Sequence, residues 1–132
     1  MSTSRGIFEL SAAVALALMQ QIGCAQSILD FDDWMQKIDR RSQSVQKSLA
    51  RKDANAASVD AREIGELYAS METYFTRRGN AVNAVKLSKE GKDLAATLGK
   101  SVAANDFAAA SAAALSLAHA CRTCHLEYKP LE

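Results

Sequence analysis

Apolar residues recur at alternating steps of three and four positions along four stretches of the chain, which are separated by short polar links. This spacing places side chains on one face of an α-helix. The first helix is predicted to open at Asp30 as its N-cap, and the second starts near Asp53 and ends at Gly79. The third helix is predicted over about 80–102, and the fourth begins around 105–106.

Each predicted helix carries one apolar stripe that we expect to face the core. The four stripes, in chain order, are Phe31, Met35, Ile38, Ser42, Val45 and Leu49; Ala57, Ala61, Ile64, Tyr68, Met71 and Phe75; Ala84, Val85, Leu94, Leu98 and Val102; and Phe107, Ala110, Ala114, Leu117, Cys121, Cys124 and Tyr128. Gly91 lies inside the third helix, where it either admits a close contact with another helix or is a tolerated weak point.

These patterns contain no strand-like alternation, and the chain has a single proline, Pro130. With roughly 20 residues each, the helices would be about 30 Å long. Because the links between them are very short, neighbouring helices are expected to run antiparallel. The predicted fold is therefore all-α, an antiparallel up-down-up-down four-helix bundle.

Residues 1–25 have the pattern of an export signal. Arg5 precedes an apolar run at 10–19 that is too short to span a bilayer. Small residues then end at Ala25, where a signal peptidase would cleave. A retained N-terminal anchor is the alternative that this stretch leaves open.

Cleavage near Ala25 predicts a periplasmic domain at 26–132 with no membrane span. Attachment as a lipoprotein through Cys24 is a minor alternative. The formal net charge is +1, and cleavage removes one charge of each sign. Because the chain shows no basic patch or stripe, nucleic acid is not an expected partner.

Cys121, Cys124 and His125 form the sequence Cys-x-x-Cys-His, which is the attachment sequence for a c-type haem. In this reading the two thiols add to the vinyl groups of the porphyrin, and the imidazole binds the iron. A thiol–disulfide protein is the competing interpretation. It lacks the βαβ context of such motifs and leaves His125 unexplained. No acid–base pair or substrate cleft is visible, so no enzymatic activity is expected.

The three motif residues share one helix face, so the haem is expected inside the bundle near the C-terminal end of the fourth helix. Large side chains cluster at that same end. The residues predicted to form the haem pocket are Trp34, Ile38, Met71, Phe75 and Tyr128. Met35 is the expected second axial ligand, because it lies on the core stripe about one turn into the first helix, level with His125. Ligation by methionine and histidine would raise the reduction potential of the iron. Met71 and an open distal site are the alternatives, and His119 is expected to be partly solvated.

The ending Cys121-x-x-Cys124-His125-x-x-Tyr128-Lys129, together with a cleaved signal and four helices, resembles the class II cytochromes c, the cytochrome c-prime family. The resemblance covers about 26–132. Lys129 stands where the family carries arginine; lysine keeps the charge but lacks the planar fork.

The resemblance implies one covalently bound haem c with its iron, and one of two functions. In one branch of the family, a methionine of the first helix ligates the iron and the protein carries electrons between periplasmic redox partners. Trp34 and Met35 match that branch. In the other branch, the iron is five-coordinate and binds small gases such as nitric oxide or carbon monoxide. The family also implies a possible homodimer.

Overall fold

The computed structural model describes residues 27–128, which form four helices and, within that range, no strand. The helices are α1 (Ile28–Ala50), α2 (Ala54–Arg78), α3 (Val82–Ala103) and α4 (Phe107–Tyr128). The predicted all-α class and number of helices are confirmed. The predicted signal at 1–25, with Cys24, and the terminal Lys129 and Pro130 lie outside the described residues.

The N-terminus of α1 corrects the prediction that Asp30 is its N-cap. Ser27 is the N-cap, and its Oγ accepts a hydrogen bond from the backbone N–H of Asp30 at 3.3 Å. The Asp30 carboxylate in turn accepts from the backbone N–H of Ser27 at 2.7 Å. The two residues form a capping box, in which Asp30 occupies the third helical position and not the cap.

The boundaries predicted for α2 are confirmed. The Asp53 side chain accepts a hydrogen bond from the N–H of Ala56 at 3.0 Å, and Gly79 ends the helix with a φ of 71°. Glycine tolerates this left-handed conformation without steric penalty. Similarly, Asp106 accepts from the N–H of Ala109 at 3.0 Å, just before α4 begins.

Each helix packs against two others, in the pairs α1–α2, α2–α3, α3–α4 and α1–α4. The α2–α3 interface is the most extensive and the α1–α4 interface the least. Small residues bring α2 and α3 together: the position of a Cβ at Gly65 would lie 3.6 Å from Ala95, and one at Gly99 would lie 4.0 Å from Ala61. Helices α2 and α3 are therefore the most closely packed pair of the bundle.

Burial follows the predicted stripe most closely in α2, where all six stripe residues are buried. In α3 the buried positions include Ser88, Gly91 and Ala95, whereas the predicted Val85 and Leu94 are only half-buried. A Cβ added at Gly91 would overlap the ring of Tyr68. The close helix contact predicted for this glycine is thus confirmed.

None of the helices within 27–128 is both long and apolar enough to cross a membrane.

Candidate functional site

The three residues of the Cys-x-x-Cys-His motif lie together on the inner face of α4. Cys124 is buried, and Cys121 and His125 are half-buried. All three line one small cavity between the helices, with a volume of about 20 Å³. The other lining residues come from α1 and α2 and are Met35, Ile38, Asp39, Tyr68 and Met71. Three helices therefore bring two thiols, an imidazole and two thioethers to a single space.

The predicted pocket residues divide into two groups. Ile38 and Met71 line the cavity itself. Trp34, Phe75 and Tyr128 lie instead in an aromatic cluster at the same end of the bundle. In that cluster, the ring centroid of Phe75 is 5.6 Å from that of Tyr128.

The aromatic cluster joins the beginning of α1 to the ends of α2 and α4. Phe31 stacks on Tyr74 with 5.6 Å between ring centroids and packs edge-on against Phe75 at 5.1 Å. Trp34 meets Tyr74 edge-on at 6.1 Å. Pairs of this geometry contribute roughly 0.5–1.5 kcal/mol beyond their burial. The aromatic cluster therefore packs these three helices together at the end of the bundle that carries the motif.

Two cavity residues, Asp39 and Tyr68, were not predicted to belong to the site. Tyr68 lies on the predicted core stripe of α2, but helical periodicity does not indicate a partner for its hydroxyl. In the structure the hydroxyl lies 3.2 Å from Sγ of Cys121, and either atom can be the donor. Asp39 lies next to the predicted stripe of α1 and remains exposed to solvent while lining the cavity.

Burial governs the ionisation of these groups. Burial raises the pKa of the Cys121 thiol, and the hydrogen bond between this thiol and Tyr68 offsets that rise only in part. Burial, together with the charges of Cys121 and Glu127, raises the pKa of Cys124 to about 11. Both thiols are therefore protonated at neutral pH. Catalytic and redox-active thiols usually have lowered pKa values, so these shifts do not favour the thiol–disulfide interpretation.

A wider groove between α1 and α4 adjoins the cavity, and Asp39, Cys121 and His125 line both spaces. Ser42 lines the groove, and its buried Oγ has no hydrogen-bond partner among the described residues. Buried hydroxyls are normally paired. An unpaired Oγ beside the Cys121 thiol and the His125 imidazole is a position where a bound group would supply the missing partner.

The donor set fits a haem better than a bare metal ion. Within 27–128, no group of three or more His, Cys, Asp and Glu side chains is placed to hold an ion. A haem needs only two sulfur anchors and one or two axial donors from the protein, with apolar walls around them. Cys121 and Cys124 provide the two sulfur anchors, and His125 provides an axial donor. Ile38 and Met71 contribute to the apolar walls.

His119, which the sequence placed away from the site, is exposed on α4 and does not line the cavity.

The chain matches no protein-family model, and comparison with curated proteins and with solved structures returns no match. The resemblance to the class II cytochromes c therefore stays a prediction, which depends on the motif residues and on the helical pattern.

Proposed function

We propose that this protein is a periplasmic c-type cytochrome that carries electrons through a haem bound covalently to Cys121 and Cys124. His125 and Met35 are its proposed axial ligands. The observation that carries the proposal is the shared cavity: the complete attachment motif on α4 and a methionine on α1 line the same space.

The residues of the chain have separate roles in this proposal. The thiols of Cys121 and Cys124 anchor the cofactor, the imidazole of His125 is the proximal donor, and the Met35 thioether is the distal donor. A bound haem would supply reversible one-electron chemistry at its iron. Ile38 and Met71 contribute apolar surface that keeps water from the metal and so favours the less charged, reduced state.

We further propose that the four helices run antiparallel, with the haem near one end. The links between helices are only a few residues long. Contacts join the beginning of one helix to the end of another: Phe31 meets Tyr74, and Asn83 donates to Glu127 at 2.5 Å. These contacts support an up-down-up-down order and bring the motif to the level of Met35.

The alternative function is gas binding at a five-coordinate iron. In that case Met35 would only cover the distal side, and nitric oxide or carbon monoxide would enter without displacing a ligand. The proposed partners of the electron carrier are periplasmic redox proteins. Export and signal cleavage near Ala25 belong to the proposal as well.

Mass spectrometry of the exported protein tests the attachment. We expect the mass of the chain beginning at Gln26 plus one haem, and loss of that added mass when both Cys121 and Cys124 are replaced by serine. A chain without added mass, with its thiols free or joined to each other, would overturn the proposal. A visible spectrum of the reduced protein, recorded with and without carbon monoxide, then separates a methionine-ligated iron from an open one.

A further inference from the structure

Tyr68 is a buried polar residue of the cavity to which the proposed function gives no role. Its side chain is 3% exposed, it comes from α2, and its hydroxyl lies 3.2 Å from Sγ of Cys121 on α4. A buried tyrosine hydroxyl normally has a hydrogen-bond partner. Here that partner is one of the two sulfur atoms proposed to anchor the haem.

The position of the Tyr68 ring depends on Gly91 of α3. The ring occupies the space that a side chain at Gly91 would fill. The ring is therefore held between α3 and the cavity, and its hydroxyl is directed towards α4. Burial, followed by the nearby charge of Cys121, raises the pKa of Tyr68, so the phenol keeps its proton.

Attachment of a haem would change the chemistry of this contact. A thiol can donate or accept a hydrogen bond, but a thioether sulfur has no proton and is only a weak acceptor. After attachment, therefore, the hydroxyl must be the donor and the sulfur the acceptor. A donor directed at this sulfur draws electron density from an atom bonded to the porphyrin, which stabilises the reduced state.

We propose that Tyr68 is a positioning residue that donates a hydrogen bond to the Cys121 thioether, fixes the orientation of that anchor and raises the reduction potential of the haem. This inference rests on the proposed function. Hydrogen bonding from outside the ligand set is one of the means by which proteins adjust haem potentials.

The test compares Tyr68→Phe with Tyr74→Phe in the exported, haem-loaded protein. Both variants remove one buried hydroxyl from α2, but the hydroxyl of Tyr74 accepts from Arg78 at 2.7 Å and does not contact a cysteine. We expect the Tyr68→Phe variant to have a lower midpoint potential than the wild type, and Tyr74→Phe to leave the potential unchanged. Equal potentials in the wild type and Tyr68→Phe would refute the role of Tyr68.

A second variant moves the hydroxyl without removing it. Gly91→Ala displaces the Tyr68 ring, so it should also lower the potential, whereas Gly99→Ala, whose Cβ would have ordinary space, should not. An unchanged potential in Gly91→Ala would contradict the proposal. If the wild type itself carries no haem, the proposed function fails; if the wild type is loaded and the potentials are unchanged, only the role of Tyr68 fails.

Discussion

The guanidinium of Arg41 on α1 donates to the carboxylate of Asp60 on α2 at 3.2 Å. Asp60 is 3% exposed, while the Arg41 side chain reaches the surface and also pairs with Glu63 at 2.5 Å. A buried carboxylate without a partner would be strongly disfavoured. Arg41 therefore stabilises the pairing of α1 with α2, because it compensates the negative charge of the Asp60 carboxylate, whose burial would otherwise be strongly unfavourable.

Arg41→Ala should lower the free energy of unfolding by about 1–3 kcal/mol, because it leaves the Asp60 carboxylate buried without its donor. Chemical denaturation of the purified protein measures this loss. Arg62→Ala is the matched control: its pair with Glu66 spans 3.9 Å and both side chains are 70% exposed, so a change within about 1 kcal/mol is expected. Equal effects of the two substitutions would show that the Asp60 carboxylate does not need Arg41.

Gly91→Ala should destabilise the bundle by about 1–3 kcal/mol, because the added methyl group overlaps the rigid ring of Tyr68. Gly99→Ala should instead leave stability unchanged or raise it by up to about 1 kcal/mol, since alanine is the better helix former. Thermal unfolding of the two variants gives the comparison. A stabilised Gly91→Ala variant would mean that the ring can move aside freely.

Phe31→Ala should lower the free energy of unfolding by about 3–5 kcal/mol, the usual range for removing a buried aromatic side chain. The loss includes its stacking on Tyr74 and its edge contact with Phe75. Leu115→Ala is the control, because Leu115 is 65% exposed and should change stability by no more than about 0.5 kcal/mol. A small loss of stability in Phe31→Ala would argue against tight packing of the aromatic cluster.

Met35→Ala should convert the iron from low spin to high spin and open it to carbon monoxide, because the proposed distal ligand is lost. The visible spectrum of the oxidised and reduced protein records the change. Met71→Ala removes the other thioether of the cavity and should keep the low-spin spectrum. The reverse result would assign the ligand to Met71, and no change in either variant would assign both methionines to packing.

Much of the helical architecture could be predicted because α1 and α2 carry large apolar residues at regular spacing. The same reasoning missed Ser88 and Ala95 in α3, since small residues add little to a hydrophobic pattern but are buried wherever two helices approach closely. It also missed Asp60, because a charged residue is assigned to the surface unless its partner is known. Its partner, Arg41, is 19 positions away and on another helix.

The motif on α4 and the cavity residues Met35, Ile38 and Met71 could be predicted because helical periodicity fixes which side chains share a face. The contact of Tyr68 with Cys121 could not, because it depends on the rotation of α2 and on the space left by Gly91. Trp34 and Phe75 lie at the predicted end of the bundle. Periodicity alone, however, could not distinguish residues that line the cavity from residues of the aromatic cluster.

The interface between α1 and α4 is the least extensive in the bundle, and this determines which helices separate first when the bundle opens locally. Local opening requires least free energy where few contacts must be broken, so α1 and α4 should separate before the glycine-joined pair α2 and α3. Met35 and His125 stand on opposite sides of that boundary. A metal bound by both would cross-link the two helices, and native-state amide exchange in α1 should accelerate when the link to Met35 is removed.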